Sequence, residues 1–369
     1  MKITTSHRSP VDNSLEFPCG KMMKNRFMLA PLTNTQSHED GTLSEAELHW
    51  LTMRAQGGFG MVMTCATLVK FNGKCWQGQL GIYEDTQMEG HQRLARAIKD
   101  EGSLAVVQLH HGGMRSDGGL TGEQPVCPSD NAEHQARAMR LEEVWDVRDQ
   151  FIAAAQRAKA CGYDGVEVHG AHGYLLCQFL SAVINTREDA YGGSLENRAR
   201  LLFEIVNGIR EACGPEFLLG VRLSPERFGM DLREVVEVCK WLIKEGNTDF
   251  LDVSLWDVFK YPADTAREEK LLRDYFTEID RGGVKLTVAG KIYGASEVQS
   301  VLDSGVDFVT IGRSAILHHD FPEQVMQNPE FRPVSLPVSK AWLRKEGVGE
   351  RFLTYLGKWS GFIGSEDQG

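Results

Sequence analysis

The sequence lacks the features that would assign its chemistry at a glance. Its eight cysteines lie singly, at positions 19, 65, 75, 127, 161, 177, 213 and 239, and no two of them form the Cys-x-x-Cys pair typical of zinc and iron–sulfur sites. The opening segment MKITTSHRSPVDNSLEF also lacks the apolar core of a secretion signal. We therefore expect the cysteines to be mostly small buried residues rather than disulfide partners.

Positive charge and long apolar runs are scarce as well. Lys and Arg number 40 against 51 Asp and Glu, which gives a net charge of −11 at pH 7, and no local basic patch offsets it. Such a charge disfavours binding to nucleic acid and to anionic membrane surfaces. No apolar run approaches the roughly 20 residues that a membrane-spanning helix needs. We expect a soluble, cytoplasmic protein that acts on a small molecule.

What the sequence does contain is a repeated order of elements. An amphipathic helical segment is followed by a glycine and then by a short run rich in Val, Ile, Leu and Phe, as in QRLARAIKDEGSLAVVQL, FIAAAQRAKACGYDGVEV, EVCKWLIKEGNTDFLDVS and EVQSVLDSGVDFVTIG. Glycine suits the end of a helix because it adopts the left-handed backbone without a Cβ penalty. This order predicts helices that alternate with strands.

Eight apolar runs are candidate strands, near residues 26–31, 60–66, 104–109, 164–169, 217–222, 249–254, 284–289 and 307–311. Nearly continuous apolar runs are typical of strands covered on both faces of a parallel sheet. Eight such units predict an α/β fold, a single-domain (β/α)8 TIM barrel over residues 1–369. The tail, about 335–369, is expected to pack on this barrel or on a neighbouring subunit of a homo-oligomer. No Gly-x-Gly-x-x-Gly follows the first strand, which disfavours an open doubly wound sheet.

Glycine and arginine residues follow the last two predicted strands, at the end of the barrel where active sites lie. Gly290 follows the seventh strand, and Gly312 and Arg313 follow the eighth. Glycines let backbone N–H groups approach phosphate oxygens, and an arginine adds paired donors. These residues predict a phosphate site, with tight turns and a surface arginine as the alternative. The long segment 112–140 after the third strand is expected to cover the barrel mouth.

Two polar side chains interrupt apolar strands. Arg222 lies in LLGVRLSP, at the end of the fifth strand. A buried guanidinium needs either a neighbouring carboxylate or an anionic ligand, and the sequence leaves both open. Gln108, in VVQLHH, offers a donor and an acceptor either to a ligand or to a core hydrogen bond.

The fourth strand ends in an unusual group, because VEVHGAHGYLLCQFL places His169, His172 and Tyr174 close together. One alternative is a metal site that includes Glu167, which strand alternation places on the same side as His169. Metal-using barrels usually gather further ligands at other strand ends, and only His110 and His111 are available here.

Two motifs, HGAHGYLL and NTREDAYGGSLENR, occur in this order within residues 162–201. On these motifs, and over about residues 15–320, the chain resembles the Old Yellow Enzyme family of FMN-dependent ene-reductases and NAD(P)H:flavin oxidoreductases. At two positions, the chain differs from those family members that have a histidine pair. Those members often carry a cysteine and a tyrosine where this chain has Thr33 and Thr35.

The resemblance implies that FMN lies across the barrel mouth. Its phosphate would contact Gly290, Gly312 and Arg313, and its ring system would contact Pro31, Thr33, Ala66 and Gln108. Thr33 would donate a hydrogen bond to the flavin O4. Arg222 would face N1 and the C2 carbonyl, where a fixed cation stabilises the reduced cofactor. The buried arginine would then have its anion.

The resemblance also implies the reaction. NADPH or NADH would reduce the flavin, and His169 and His172 would hold an oxygen of an activated alkene, a nitro compound or a quinone while Tyr174 protonates the α-carbon. Both half-reactions would share one site, which predicts ping-pong kinetics. Two alternatives are a metal-dependent barrel hydrolase that uses Glu167 and the two histidines, and a non-catalytic flavin-binding redox sensor.

Overall fold

Eight buried parallel strands close into one barrel in the computed structural model, which describes residues 10–264 and 270–364. The barrel strands are β1 (Phe27–Leu29), β2 (Met61–Leu68), β3 (Leu104–His110), β4 (Gly165–Gly170), β5 (Leu218–Leu223), β6 (Phe250–Ser254), β7 (Lys285–Ala289) and β8 (Phe308–Ile311). Each strand pairs with its neighbours in sequence, and β8 pairs with β1. The predicted (β/α)8 barrel is confirmed, with strand ends within two residues of those predicted.

Helices cover the outside of this barrel. Those of the described chain are α1 (Glu45–Gln56), α2 (Met88–Asp100), α3 (Gly118–Thr121), α4 (Leu141–Ala160), α5 (Leu175–Leu180), α6 (Leu195–Cys213), α7 (Leu232–Glu245), α8 (Asp274–Thr277), α9 (Ala295–Asp303), α10 (Arg313–Leu317), α11 (Phe321–Gln327), α12 (Lys340–Lys345) and α13 (Glu350–Leu356). None of these helices has the length and hydropathy that crossing a bilayer requires. The glycines predicted to end four helices all have positive φ: Gly102, Gly162, Gly246 and Gly305.

The lower interior of the barrel, at the amino ends of the strands, is an apolar plug. It contains Leu15, Phe17, Met23, Met28, Met61, Met63, Leu104, Val106, Leu218, Phe250 and Phe308. Three of these residues come from the antiparallel pair Leu15–Glu16 and Met22–Met23 and from the turn between them. The Phe17 ring lies 5.9 Å from the Phe250 ring and 5.7 Å from the Phe308 ring. Gly220 is required here, because a Cβ at this position would lie 2.1 Å from the Phe250 ring.

The upper interior, toward the carboxyl ends of the same strands, is polar. It contains Gln108 and His110 of β3, Glu167 and His169 of β4, Arg222 of β5, and Asp252 and Ser254 of β6, all of them buried. The parallel pairing aligns Gln108 with Glu167, His169 with Arg222, and Arg222 with Asp252. These side chains therefore face one another below the mouth of the barrel.

The described part of the predicted tail contacts the barrel of its own chain. The Trp342 indole donates a hydrogen bond to the Leu317 carbonyl (2.9 Å), and the Trp50 and Phe352 rings pack edge to face at 5.4 Å. Thr35 donates to the Arg351 carbonyl at 3.3 Å. This last contact ties the tail to the loop that follows β1. Residues 365–369 of the predicted tail lie outside the described residues.

Candidate active site

The two histidines of the fourth strand end meet at the barrel mouth. His169 Nε2 lies 3.3 Å from His172 Nδ1, and the two rings are nearly perpendicular. His172 has a left-handed backbone with φ of 61°, which is uncommon for a residue with a side chain. Its backbone N–H donates to Ser224 Oγ (2.9 Å), and its carbonyl accepts a hydrogen bond from Arg115. Two loops therefore hold the turn that brings the facing nitrogens together.

Both histidines are neutral at physiological pH. Burial, followed by neighbouring positive groups that include Arg222 and Arg115, holds the pKa of both imidazoles well below the usual range. The Ala171 N–H donates to His169 Nδ1 (3.3 Å), so the proton of His169 is on Nε2. A neutral N–H donor therefore points toward the space beside His172.

Tyr174 lies against the histidine pair. Its ring centroid is 5.3 Å from that of His169 and 4.3 Å from that of His110, and the Arg115 guanidinium lies over the Tyr174 ring at 4.5 Å. Burial raises the pKa of the Tyr174 hydroxyl to about 12. The hydroxyl is therefore a proton donor that stays protonated across the physiological range.

His110 and Arg115 belong to this cluster, although the sequence indicated His110 only as a metal ligand. The His110 ring lies between the rings of Tyr174 and Trp76, with Nδ1 3.2 Å from the Gln79 amide nitrogen. Its Nε2 is buried without a hydrogen-bond partner among the described residues. Arg115 comes from the predicted covering segment 112–140, which therefore reaches the mouth.

The opposite wall of the mouth is aromatic. The Trp256 ring lies 6.3 Å from the His172 ring, and the side chain is 49% exposed. The Arg227 guanidinium stacks over it at 4.4 Å. Both residues have positive φ, as does Phe228, which follows Arg227 in the same loop, so the backbone is strained at this wall.

Arg222 lies in the upper interior, one strand from His169. Its Nε donates to Ser254 Oγ (2.8 Å) and lies 3.3 Å from Asp252 Oδ2, while its two terminal nitrogens form no hydrogen bond with a described residue. Both alternatives for this arginine thus remain: a carboxylate is present, and two donors are left for an anionic ligand. Gln108 donates to Glu167 Oε1 at 2.7 Å, which is the core hydrogen bond. Its amide oxygen has no such partner among the described residues.

The loop after β1 carries Pro31 and Thr33, both half-buried at the mouth. A buried carboxylate, Glu47 of α1, holds this loop by accepting from the Asn34 amide (2.9 Å) and from the Ser37 hydroxyl. Ala66, on the next strand, is aligned with Gln108. Strand pairing therefore brings Ala66 and Gln108 side by side, and Thr33 lies in the loop that follows the neighbouring strand β1.

The expected phosphate residues lie at the ends of β7 and β8. A Cβ built at Gly312 would meet Leu32 and Ala30 at the ordinary contact distances of 3.7 and 4.0 Å, so this position is not crowded. Arg313 packs over the Tyr293 ring at 5.0 Å and forms no ion pair with a described residue. Gly290 has φ of +148°, and a Cβ there would lie 2.6 Å from the Trp256 backbone. The donors present here, the Arg313 guanidinium and the backbone N–H groups at Gly312, fit an FMN phosphate.

The alternative metal site is not formed by the described residues. No three His, Cys, Asp or Glu side chains converge there as metal ligands do. Glu167, which that alternative required, bonds Gln108 below the mouth instead. All eight cysteines are free, and six of them are buried.

A barrel with reactive polar side chains gathered at its strand ends is the architecture of an enzyme, and similarity to known proteins gives the class as a flavin-dependent oxidoreductase. The sequence matches the model of the NADH:flavin oxidoreductase / NADH oxidase family over residues 18–330. It is 36% identical over 332 residues to a probable NADH-dependent flavin oxidoreductase of Bacillus subtilis (strain 168), which covers 87% of this chain and 89% of that protein.

Solved structures agree with this match. An old yellow enzyme homologue from Zymomonas mobilis superposes with a TM-score of 0.77 at 28% identity, covering 90% of this chain and 96% of that one. Morphinone reductase in complex with tetrahydroNAD superposes with a TM-score of 0.76 at 28% identity, covering 90% of this chain and 93% of that one. The chain belongs to the NADH:flavin oxidoreductase / NADH oxidase family. It is an oxidoreductase of the Old Yellow Enzyme type, with FMN as cofactor and a reduced nicotinamide as donor.

Proposed function

We propose that this chain reduces C=C bonds conjugated to an electron-withdrawing group, using NADH or NADPH in two half-reactions that share one site. The observation that carries the proposal is the convergence of His169 Nε2 and His172 Nδ1, 3.3 Å apart, beside the ring of Tyr174. Two neutral N–H donors that meet at one point suit a single oxygen that gains negative charge. Enones and enals carry such an oxygen, as do nitro compounds and quinones.

Substrate binding sets the proton position on His172. The proton of His169 is already on Nε2, because its Nδ1 accepts from the Ala171 N–H. His172 donates to the same oxygen only when its proton is on Nδ1, so the bound state selects that tautomer. Both rings then stabilise developing charge without becoming cationic, since burial disfavours the protonated form.

Tyr174 would supply the proton to the α-carbon. Its hydroxyl is protonated at all physiological pH values, and Arg115 lies over its ring and would favour the transient phenolate.

Bound FMN would supply the hydride chemistry that links nicotinamide oxidation to alkene reduction. Arg222 would hold the pyrimidine side of the ring system, and Gly312 and Arg313 the phosphate. Pro31, Thr33, Ala66, Gln108 and Gly290 would line the rest of the cofactor site.

Two anaerobic half-reactions test the proposal. The purified protein should be yellow, lose its colour on addition of NADH or NADPH, and regain it when 2-cyclohexenone is added, with one equivalent of saturated ketone formed. Steady-state rates should follow the parallel-line pattern of a ping-pong mechanism. A protein that loses its colour with nicotinamide but never regains it with any enone, nitro compound or quinone would contradict the proposal and favour a redox sensor.

A further inference from the structure

Two buried carboxyl groups flank Arg222 in the upper interior, and the mechanism above uses neither. Glu167 of β4 and Asp252 of β6 lie on the strands on either side of β5, and both are 0% exposed. Glu167 Oε1 accepts from Gln108 at 2.7 Å, and Asp252 Oδ2 lies 3.3 Å from Arg222 Nε. Glu167 Oε2 and both Asp252 oxygens have no hydrogen-bond partner among the described residues.

This arrangement exceeds what is needed to position Arg222. Ser254 already accepts from Nε at 2.8 Å, and one carboxylate would balance one guanidinium. A second carboxyl group near the same cation leaves one excess negative charge in a water-poor interior, unless one of the two carboxyls is protonated. Burial accordingly raises the pKa of Glu167 to about 8, with repulsion from Asp252 as the next cause, and burial raises the pKa of Asp252 to about 6.

The other groups that face this pair carry no fixed charge. From β3 come the neutral Gln108 and His110, and from β4 comes His169; burial holds the pKa of both imidazoles well below the usual range. From β7 and β8 come Thr287 and Thr310, whose hydroxyls bond each other at 2.8 Å. Among the described residues of the upper interior, Arg222 is thus the side chain that stays charged at every physiological pH.

We propose, on the basis of the proposed position of the flavin beside Arg222, that Glu167 and Asp252 form a proton-accepting pair that takes up a proton from water when the cofactor is reduced. Hydride transfer from the nicotinamide would add one negative charge to the site. The compensating positive charge would leave with the oxidised nicotinamide. A carboxylate oxygen of the pair binds one proton, and the bulk buffer supplies it. The interior therefore regains its charge balance without a change at Arg222, because the added negative charge favours the protonated carboxyl.

Proton uptake during cofactor reduction tests this pair directly. The FMN-loaded enzyme is reduced anaerobically with one equivalent of NADH in weak buffer, and a pH-indicator dye reports the protons taken up at each pH from 6 to 9. The wild type should take up more protons than Glu167→Gln near pH 8. Asp252→Asn should shift the uptake of the remaining carboxyl to lower pH, because it removes the repulsion that Glu167 feels from Asp252.

Asp164→Asn is the matched control. Asp164 precedes β4 on the lower side, three residues from Glu167 and hence about 10 Å along the strand, where it pairs with Lys21 at 3.2 Å and Lys99 at 3.5 Å. This variant makes the same change from carboxylate to amide, and its proton uptake should match that of the wild type. FMN content and melting temperature identify variants that fail to fold.

Equal uptake by the wild type and Glu167→Gln at every pH would overturn the proposal. If Glu167→Gln does not bind FMN, the test rests on Asp252→Asn. A proton-uptake curve of Asp252→Asn that matches that of the wild type would also overturn the proposal. The readout accompanies nicotinamide oxidation alone, so it does not depend on alkene reduction. A wild type with no proton uptake but normal reoxidation by an enone would therefore remove this inference and leave the proposed function intact.

Discussion

The lower and upper interiors of the barrel are built from the same strands yet have opposite chemistry. On β3 the inward side chains run from Leu104 and Val106 to Gln108 and His110, and on β6 they run from Phe250 to Asp252. A step of two residues, about 7 Å along a strand, separates a close-packed aromatic cluster from a buried carboxyl. The fold thus keeps its stabilising contacts and its reactive groups on one scaffold, at different heights.

The two regions also differ in how completely their groups are satisfied. The three phenylalanine rings of the lower interior pack against one another at 5.7 to 5.9 Å, two of the pairs edge to face and the third tilted. In the upper interior, some buried polar atoms have no hydrogen-bond partner within the described parts of the chain, including His110 Nε2 and Glu167 Oε2. Unpartnered buried polar atoms cost stability, and they persist where they serve a ligand or a reaction. The lower interior should therefore respond to substitution in stability, and the upper interior in chemistry.

The largest expected effect comes from substitution of Tyr174, at the mouth above the upper interior, which should change the chemistry and not the stability. Tyr174→Phe removes the proposed proton donor without changing the ring, so the rate of alkene reduction should fall about 10²- to 10⁴-fold, the usual range for loss of a general acid. The melting temperature and the rate of flavin reduction by NADH should stay near wild type, because neither depends on the hydroxyl. Stopped-flow measurement of each half-reaction checks this. Equal slowing of both halves would show that the role assigned to Tyr174 is wrong.

Phe250→Ala makes the opposite separation. It removes the central ring of the lower interior and should lower the free energy of unfolding by about 3–5 kcal/mol, the usual cost of a large-to-alanine change in a core. Turnover at a temperature where the variant is fully folded should change little. Urea denaturation and enone reduction at 20 °C, on the same preparation, measure the two quantities. A folded variant with strongly reduced turnover would break the division between the regions.

The lower interior and the barrel could be predicted because their signals are local and repeated. Strands covered on both faces are almost continuously apolar, and the glycines that end the helices take the positive φ predicted for them, as at Gly162 and Gly246. Arg222 stood out by the same logic, as a charge in an apolar run. Asp252, in the run FLDVS, carries the same signal and could have been recognised with it.

The rest of the site depends on contacts that a single strand does not show. Arg115 lies in a long loop, and its stacking on Tyr174 follows from how that loop folds over the mouth. His110 differs from His111 only in register, and alternation turns it toward His169. The wall at Trp256 arises where two strained loops meet. Long-range packing fixes each of these positions, and no local pattern specifies it.

The pH dependence of stability sharpens the comparison further. Burial raises the pKa of Glu167 from its usual value near 4.5 to about 8, so the native state binds more protons than the unfolded state between these values. Stability should therefore fall as pH rises from about 5 to 8, by at most about 1.4 kcal/mol per pH unit for one group. Glu167→Gln should remove this loss of stability. The free energy of unfolding of the variant, relative to that of the wild type, should therefore increase as pH rises. Asp164→Asn, at the lower side, should show no such growth in urea denaturation at matched FMN saturation.

The smallest expected effect concerns the stacking of Arg115 on Tyr174, at 4.5 Å from the guanidinium carbon to the ring centroid. Arg115→Lys keeps the charge but loses the planar group. Because Arg115 is exposed, its cation–π contact contributes about 0.5–1 kcal/mol, so enone reduction should slow about two- to fivefold. Arg281→Lys is the control, because Arg281 bonds Asp307 at 3.2 Å just before β7 and β8 begin, at the opposite end of the barrel from the mouth. Its turnover should stay at the wild-type value. Equal slowing in both variants would show that the arginine acts through general stability, and the division between the two interiors would then not extend to the loops that surround the upper one.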